Sequence, residues 1–162
     1  TLVSKTFELY GKTYTFESGE LAKQATGACL VKQGDTTMLD TVVVSKERKN
    51  YDFFPLTVDF NEKMYAAGRI PGGYLKREGR PSEKATLTAR MMTADSPELP
   101  GRFRNEVHIV ATSLVADQVN PFDVINVMGA SLAMTLGGVP FEGPAACVRI
   151  GRNVETGELS ST

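Results

Sequence analysis

The chain of 162 residues predicts an α+β domain, a mixed β-sheet with helices packed on it. Three observations carry that prediction. β-branched and aromatic runs crowd the first sixty residues. A further β-branched run lies at 106–116. Two helical segments, at 81–90 and 122–136, flank that run. Thr6 to Tyr10 and Thr13 to Glu17 flank Gly11-Lys12, which reads as an edge hairpin with Gly at the first turn position. Thr26 to Lys32, Thr36 to Ser45 and Phe53 to Phe60 follow as strands, with Gln33-Gly34-Asp35 turning between the first two, so a meander is expected before residue 61. Pro81 fits the first turn of a helix that Ser82 to Arg90 continues. Glu106 to Ala116 reads as a strand whose one face carries Val107, Ile109, Ala111 and Val115. From Phe122 to Leu136, apolar residues recur at Val124, Val127, Met128, Ala130, Leu132 and Leu136, a tightly packed helix that Gly137-Gly138 ends. Ala145 to Ile150 is expected to return to β, and residues 153–162 form a polar tail expected to fray.

The length suits one domain with a real core. A net charge of -1 argues against a generally basic nucleic-acid binder, so any polyanion must be bound locally. Cys29 and Cys147 lack a C-x-x-C setting and only one histidine is present, which disfavours zinc and a disulfide framework and points to free thiols in a reducing cytoplasm. No apolar run approaches membrane-spanning length and no secretory h-region is seen, so a cytoplasmic protein without a membrane partner is expected.

One stretch departs from this even balance. Gly68 to Arg90 reads G-R-I-P-G-G-Y-L-K-R-E-G-R-P-S-E-K-A-T-L-T-A-R, with six basic residues (Arg69, Lys76, Arg77, Arg80, Lys84, Arg90) against two acidic ones (Glu78, Glu83). Its glycines permit sharp turns and close backbone approach, while Tyr74 and Leu75 offer a stacking face beside the cations. That pairing suits single-stranded nucleic acid. The plain alternative is a solvated basic loop in which Glu78 and Glu83 neutralise part of the charge. His108 lies in an apolar strand and reads as structural, and Ser113 and Ser131 lack any nucleophile setting. Asp117 with Asp123, or Asp59 with Glu62, are the carboxylate pairs to weigh for a divalent ion, yet carboxylates at such places usually face water or cap helices.

The runs F-F-P-L-T-V-D-F at 53–60, Y-A-A-G-R-I-P-G-G at 65–73, R-E-G-R-P-S-E at 77–83, R-N-E-V at 104–107 and G-A-S-L-A at 129–133 closely resemble the bacterial polynucleotide phosphorylase family. The similarity is to its first RNase PH-like domain and covers roughly residues 5–152. It implies the RNase PH fold, related to ribosomal protein S5 domain 2. It also implies a polyribonucleotide nucleotidyltransferase, a phosphorolytic 3′-to-5′ exoribonuclease of mRNA degradation. In such an enzyme inorganic phosphate attacks the terminal linkage and releases nucleoside diphosphates, three chains form a ring, and Mg2+ or Mn2+ supports the reaction. The family's second copy cradles the phosphate with a serine-rich stretch. Here that place reads Asn120-Pro121-Phe122-Asp123-Val124-Ile125-Asn126-Val127, which lacks the hydroxyls, so no catalytic residue, metal or cofactor is expected in this chain.

The resemblance carries over an RNA-gripping loop, usually F-F-R-R, onto Tyr74, Leu75, Lys76 and Arg77, with Arg80 and Arg69 as phosphate neighbours. Tyr keeps a ring, Leu loses one, and Lys drops the planar fork of Arg. After Arg90 the family's arginine- and proline-rich segment is replaced by Met91 to Gly101, where Asp95 and Glu98 would repel phosphate. The expected division of labour is that residues 1–152 guide single-stranded RNA and build a homotrimeric ring, with the phosphate site in a second domain. The alternative is a non-enzymatic RNA-binding or scaffold module of the same fold.

Overall fold

A computed structural model describes residues 1–48, 50–94 and 103–161. Strands β1 (Val3–Leu9), β2 (Lys12–Ser18), β3 (Gly27–Gln33) and β4 (Thr36–Arg48) run as an antiparallel meander. The strand β5 (Leu56–Asn61) leaves that meander. It pairs parallel with β6 (Asn105–Val115), which itself lies antiparallel to β4, giving the order β1-β2-β3-β4-β6-β5. A parallel pair cannot be joined by a tight turn, so the chain between β5 and β6 makes a crossover. That crossover holds a single 3-10 turn (Met64–Ala67), the basic loop and helix α1 (Glu83–Ala94). Helix α2 (Phe122–Leu136) follows β6, as its apolar spacing predicts, and β7 (Ile150–Arg152) and β8 (Leu159–Ser161) form a small separate hairpin.

The core lies on one face of the large sheet. Cys29 and Val31 of β3, Met38 and Val42 of β4, and Val107, Ile109 and Ala111 of β6 are buried there with Ile125, Ala130, Ala133 and Met134 of α2. Ala85 and Met92 of α1 close the same core. Period-two burial along β3 and β6 shows one face turned to the helices. Each fully buried aliphatic side chain contributes about 1.5–3 kcal/mol, so this face fixes the register.

Several local expectations are corrected. The first hairpin turns on Tyr10 and Gly11, both at positive φ (50° and 72°), one residue earlier than expected, because a two-residue turn matching strand twist needs φ > 0 at both positions. Phe53 is exposed and precedes β5. On β6 the buried face ends with Ser113, and Val115 is exposed because the β4 register shifts between Thr37 and Met38. Ser113 is satisfied there, accepting from the Lys63 N–H at 2.9 Å and donating to the Asn61 carbonyl at 3.3 Å. Pro81 sits before the helix, and Ser82 is its cap: its carbonyl accepts from Thr86 N–H and its hydroxyl from Ala85 N–H, both at 3.0 Å. Residues 145–149 are not a strand, since the Ala145 N–H goes to Ser131 Oγ at 2.7 Å rather than to a ladder. Ser160 and Ser161, expected to fray, pair with Gly151 and Ile150.

Candidate nucleic-acid interface

The loop begins where the 3-10 turn stops. Gly68 adopts the left-handed conformation (φ 67°) that ends such a turn, and its N–H and that of Arg69 bond back to Tyr65 and Met64 at 2.9 and 3.0 Å. Beyond it the tip turns at Gly73 (φ 85°) and again at Lys76, a non-glycine residue held at φ 47°. A left-handed side-chain-bearing residue costs roughly 1–2 kcal/mol, so the tip stores local strain between Tyr74 and Arg77. Tyr74 is 99% exposed and Leu75 61%. Lys76, Arg77, Arg80 and Arg69 are exposed as well.

Among the described residues the loop cations form no ion pair with a carboxylate. The ion pairs among those residues are Lys32–Glu17 at 2.9 Å and Arg149–Asp123, with a His108–Asp59 hydrogen bond at 2.7 Å, and none includes a loop cation. The neutralising partner that sequence offered, Glu78, is otherwise engaged: its Oε1 accepts the Met64 N–H at 2.9 Å. Glu83 stands exposed in the first turn of α1, where a negative charge is favoured by the helix dipole. Four cations in water with no ion partner can bind an incoming anion without first breaking a pair.

The site residues divide into two groups. Arg69 and Arg80, with Glu62, Lys63, Glu78 and Ser82, line a recess of about 500 Å³ between the loop base and the 3-10 turn. Tyr74, Leu75, Lys76 and Arg77 form the exposed tip outside it. Arginines at the base and an exposed aromatic at the tip thus lie on one connection. Asp95 and Glu98 fall outside the described residues.

The carboxylates weighed for a divalent ion, Asp59, Glu62, Asp117 and Asp123, have other partners. Burial pushes the Asp117 carboxyl upward, but bonds from the Asn120 backbone and side chain, Val119 and Thr36 outweigh it and hold it below the ordinary range. Asp123 pairs with Arg149, and Asp59 with His108 across β5 and β6. These residues do not fit a divalent ion, and no group of three or more possible ligands gathers among the described residues. In the stretch 120–127, Phe122 packs on Phe60 with ring centroids 6.0 Å apart and the Asn120 amide donates to Asp117 at 2.6 Å. Sequence reasoning missed Asp40. It is fully buried in β4 with neither carboxylate oxygen hydrogen-bonded, and its signal was an acid amid T-T-M-L-D-T-V-V-V.

The family described as "3′ exoribonuclease family, domain 1" matches residues 11–140. A polyribonucleotide nucleotidyltransferase from Exiguobacterium sibiricum is 51% identical over 146 residues, 90% of this chain and 20% of that protein. One from Oceanobacillus iheyensis is 48% identical over 146 residues, again 90% of this chain and 21% of that one. The chain thus spans about a fifth of the length of these relatives. Among solved structures, rice Rrp46 superposes with a TM-score of 0.64 at 14% identity, covering 99% of this chain and 67% of that one. A chain of the Archaeoglobus fulgidus exosome, solved with RNA bound to its active site, superposes at 0.54 and 17% identity over 83% of this chain and 50% of its own. At such identities these two likenesses bear on fold alone, and the fold they share is RNase PH-like. No helix among the described residues is long and apolar enough to cross a membrane.

Proposed function

Because this chain belongs to the 3′ exoribonuclease family, matching its domain 1, we propose that it is the RNA-guiding first RNase PH-like domain of a polyribonucleotide nucleotidyltransferase. In this reading the complete enzyme degrades mRNA from the 3′ end in the cytoplasm, using inorganic phosphate and releasing nucleoside diphosphates. The loop holds single-stranded RNA, and three copies close a ring around it. One observation carries the assignment of the loop: among the described residues, Arg69, Lys76, Arg77 and Arg80 have no carboxylate ion partner and stand beside a fully exposed Tyr74. Stacking on one exposed ring supplies about 1–3 kcal/mol per base whatever the base, and the cations supply a salt-dependent backbone term. The phosphate chemistry, and the Mg2+ or Mn2+ that supports it, belong in this reading to residues outside this chain.

Titration of fluorescent single-stranded RNA at low and high salt tests the loop. Binding is expected to weaken with salt, and Arg77→Ala should weaken it further while lowering the log–log salt slope by about 0.7, the value of one single-strand phosphate contact. Binding indifferent to salt and to Arg77 sinks the assignment. The 162-residue chain alone is expected to release no nucleoside diphosphate from poly(A) and inorganic phosphate, and robust turnover would refute the division of labour.

A further inference from the structure

We infer that Glu78 is a positioning residue, a carboxylate tether that fixes the cationic tip by capping the 3-10 turn on the far side of the loop. The turn Met64–Ala67 receives no side-chain cap from Lys63, the residue at its own N-terminus. An uncapped first N–H is an orphan donor, and Glu78, fourteen residues further on, supplies the acceptor at 2.9 Å. A second carboxylate acts in parallel: Ser82 Oγ donates to Glu62 Oε2 at 3.3 Å while the same oxygen caps α1. The loop is therefore closed twice at its base, residue 62 to 82 and residue 64 to 78.

The inner closure sits next to the strained tip. Glu78 follows Arg77 directly, so anchoring its side chain holds the backbone on which Lys76 is kept at positive φ and from which both cations project. Without that anchor, Lys76 can relax to an ordinary conformation and the geometry of Tyr74, Lys76 and Arg77 is lost. A carboxylate beside four cations makes poor sense as a neutral bystander, since its charge opposes a polyanion. As a tether it is consistent with binding, because order in the loop lowers the entropy lost on capture.

This inference rests on the RNA-binding reading of the loop, and the two can be separated by the sign of an effect. Removing a negative charge near a polyanion site should raise affinity, while removing a tether should lower it. We expect Glu78→Ala to bind single-stranded RNA about fivefold more weakly than wild type, the worth of one net hydrogen bond of about 1 kcal/mol. Glu78→Gln, which keeps the acceptor oxygen and loses the charge, should bind as wild type or more tightly. Hydrogen exchange at the Met64 amide provides an arm that needs no RNA. It should speed up about fivefold in Glu78→Ala and stay near wild type in Glu78→Gln. Unchanged exchange in Glu78→Ala overturns the tether. Faster exchange with affinity raised equally in both variants overturns the positioning role, leaving a tether without consequence for RNA. If wild type binds no RNA, the loop reading fails and the positioning role with it, and the exchange arm still reports the Met64 contact.

Discussion

Two regions of the described molecule hold polar groups without partners, in opposite surroundings. In the basic loop, cations with no carboxylate partner among the described residues stand in water, where hydration compensates them and an arriving phosphate can replace that water. Between β4 and α2, the Asp40 carboxyl is fully buried with both oxygens unbonded, and the buried Asn126 Oδ1 of α2 is also unsatisfied. The first arrangement is cheap and available to a ligand. The second is a cost that the rest of the core must offset, about 1–3 kcal/mol even for a neutral carboxyl. Glycine follows the same division. A Cβ on Gly129 of α2 would meet Asp40 Oδ2 at 1.9 Å and Val31 Cγ2 at 2.8 Å, whereas one on Gly72 in the loop would meet nothing within 4 Å.

The largest expected effect breaks the buried side of that contrast. Gly129→Ala should destabilise the domain by about 3 kcal/mol through overpacking, despite the better helix propensity of Ala. In an Asp40→Ala background the same change should lose most of its cost, because the obstructing carboxylate is gone. Urea melts of the two single variants and the double variant read the coupling. Equal cost in both backgrounds would show that Val31 or the backbone, not Asp40, demands glycine.

Next comes pH. Burial raises the Asp40 carboxyl well above the ordinary carboxylate range. The folded state therefore keeps a proton that the unfolded chain releases. Stability contributed by this group is fully present below the unfolded value and declines as pH rises from there toward the folded one, by up to about 1.4 kcal/mol per pH unit. Asp117 acts in the opposite sense, its low carboxyl losing stability only as pH falls below the unfolded value. Cys29, desolvated by burial and facing Asp40, is pushed up to about 12 and enters only above pH 9. As pH rises above the unfolded carboxylate value, the decline should thus be that of Asp40. Asp40→Val is expected to flatten it and to raise stability at pH 7; an unchanged slope would place the proton elsewhere.

The buried anomaly and the exposed loop also differ in how far sequence revealed them. The bounds of helix α2 were legible, because a run of small and apolar side chains between Pro121 and Gly137 leaves little choice, but its buried face was not, since Ile125, Ala133 and Met134 are buried there and Leu136 is exposed. The strands of the meander were legible from β-branched runs. The parallel pairing of β5 with β6 was not, since pairing across the 43 residues of crossover leaves no local pattern. In the loop, the cations and Tyr74 could be named from spacing and resemblance, whereas the bond from Glu78 to Met64 depends on how the crossover folds back. A carboxylate among arginines reads locally as an ion partner. Only the tertiary path shows that it serves a backbone N–H instead.

The smallest effects sharpen the loop side. Gly73 sits at φ 85° with open space around its Cβ position, while Gly72 has the same open space without the positive φ. Packing therefore asks nothing of either, and backbone conformation asks for glycine only at 73. Gly73→Ala should cost about 1 kcal/mol, or relax the tip and weaken RNA binding instead if the loop yields before the domain does. Gly72→Ala should stay within about 0.5 kcal/mol of wild type, with slight stabilisation possible because the unfolded chain loses freedom. Thermal melts and RNA titrations of the two variants side by side decide between these. Equal behaviour at both positions would mean that the turn at Gly73 is not held in solution, and the strain assigned to the tip would go with it.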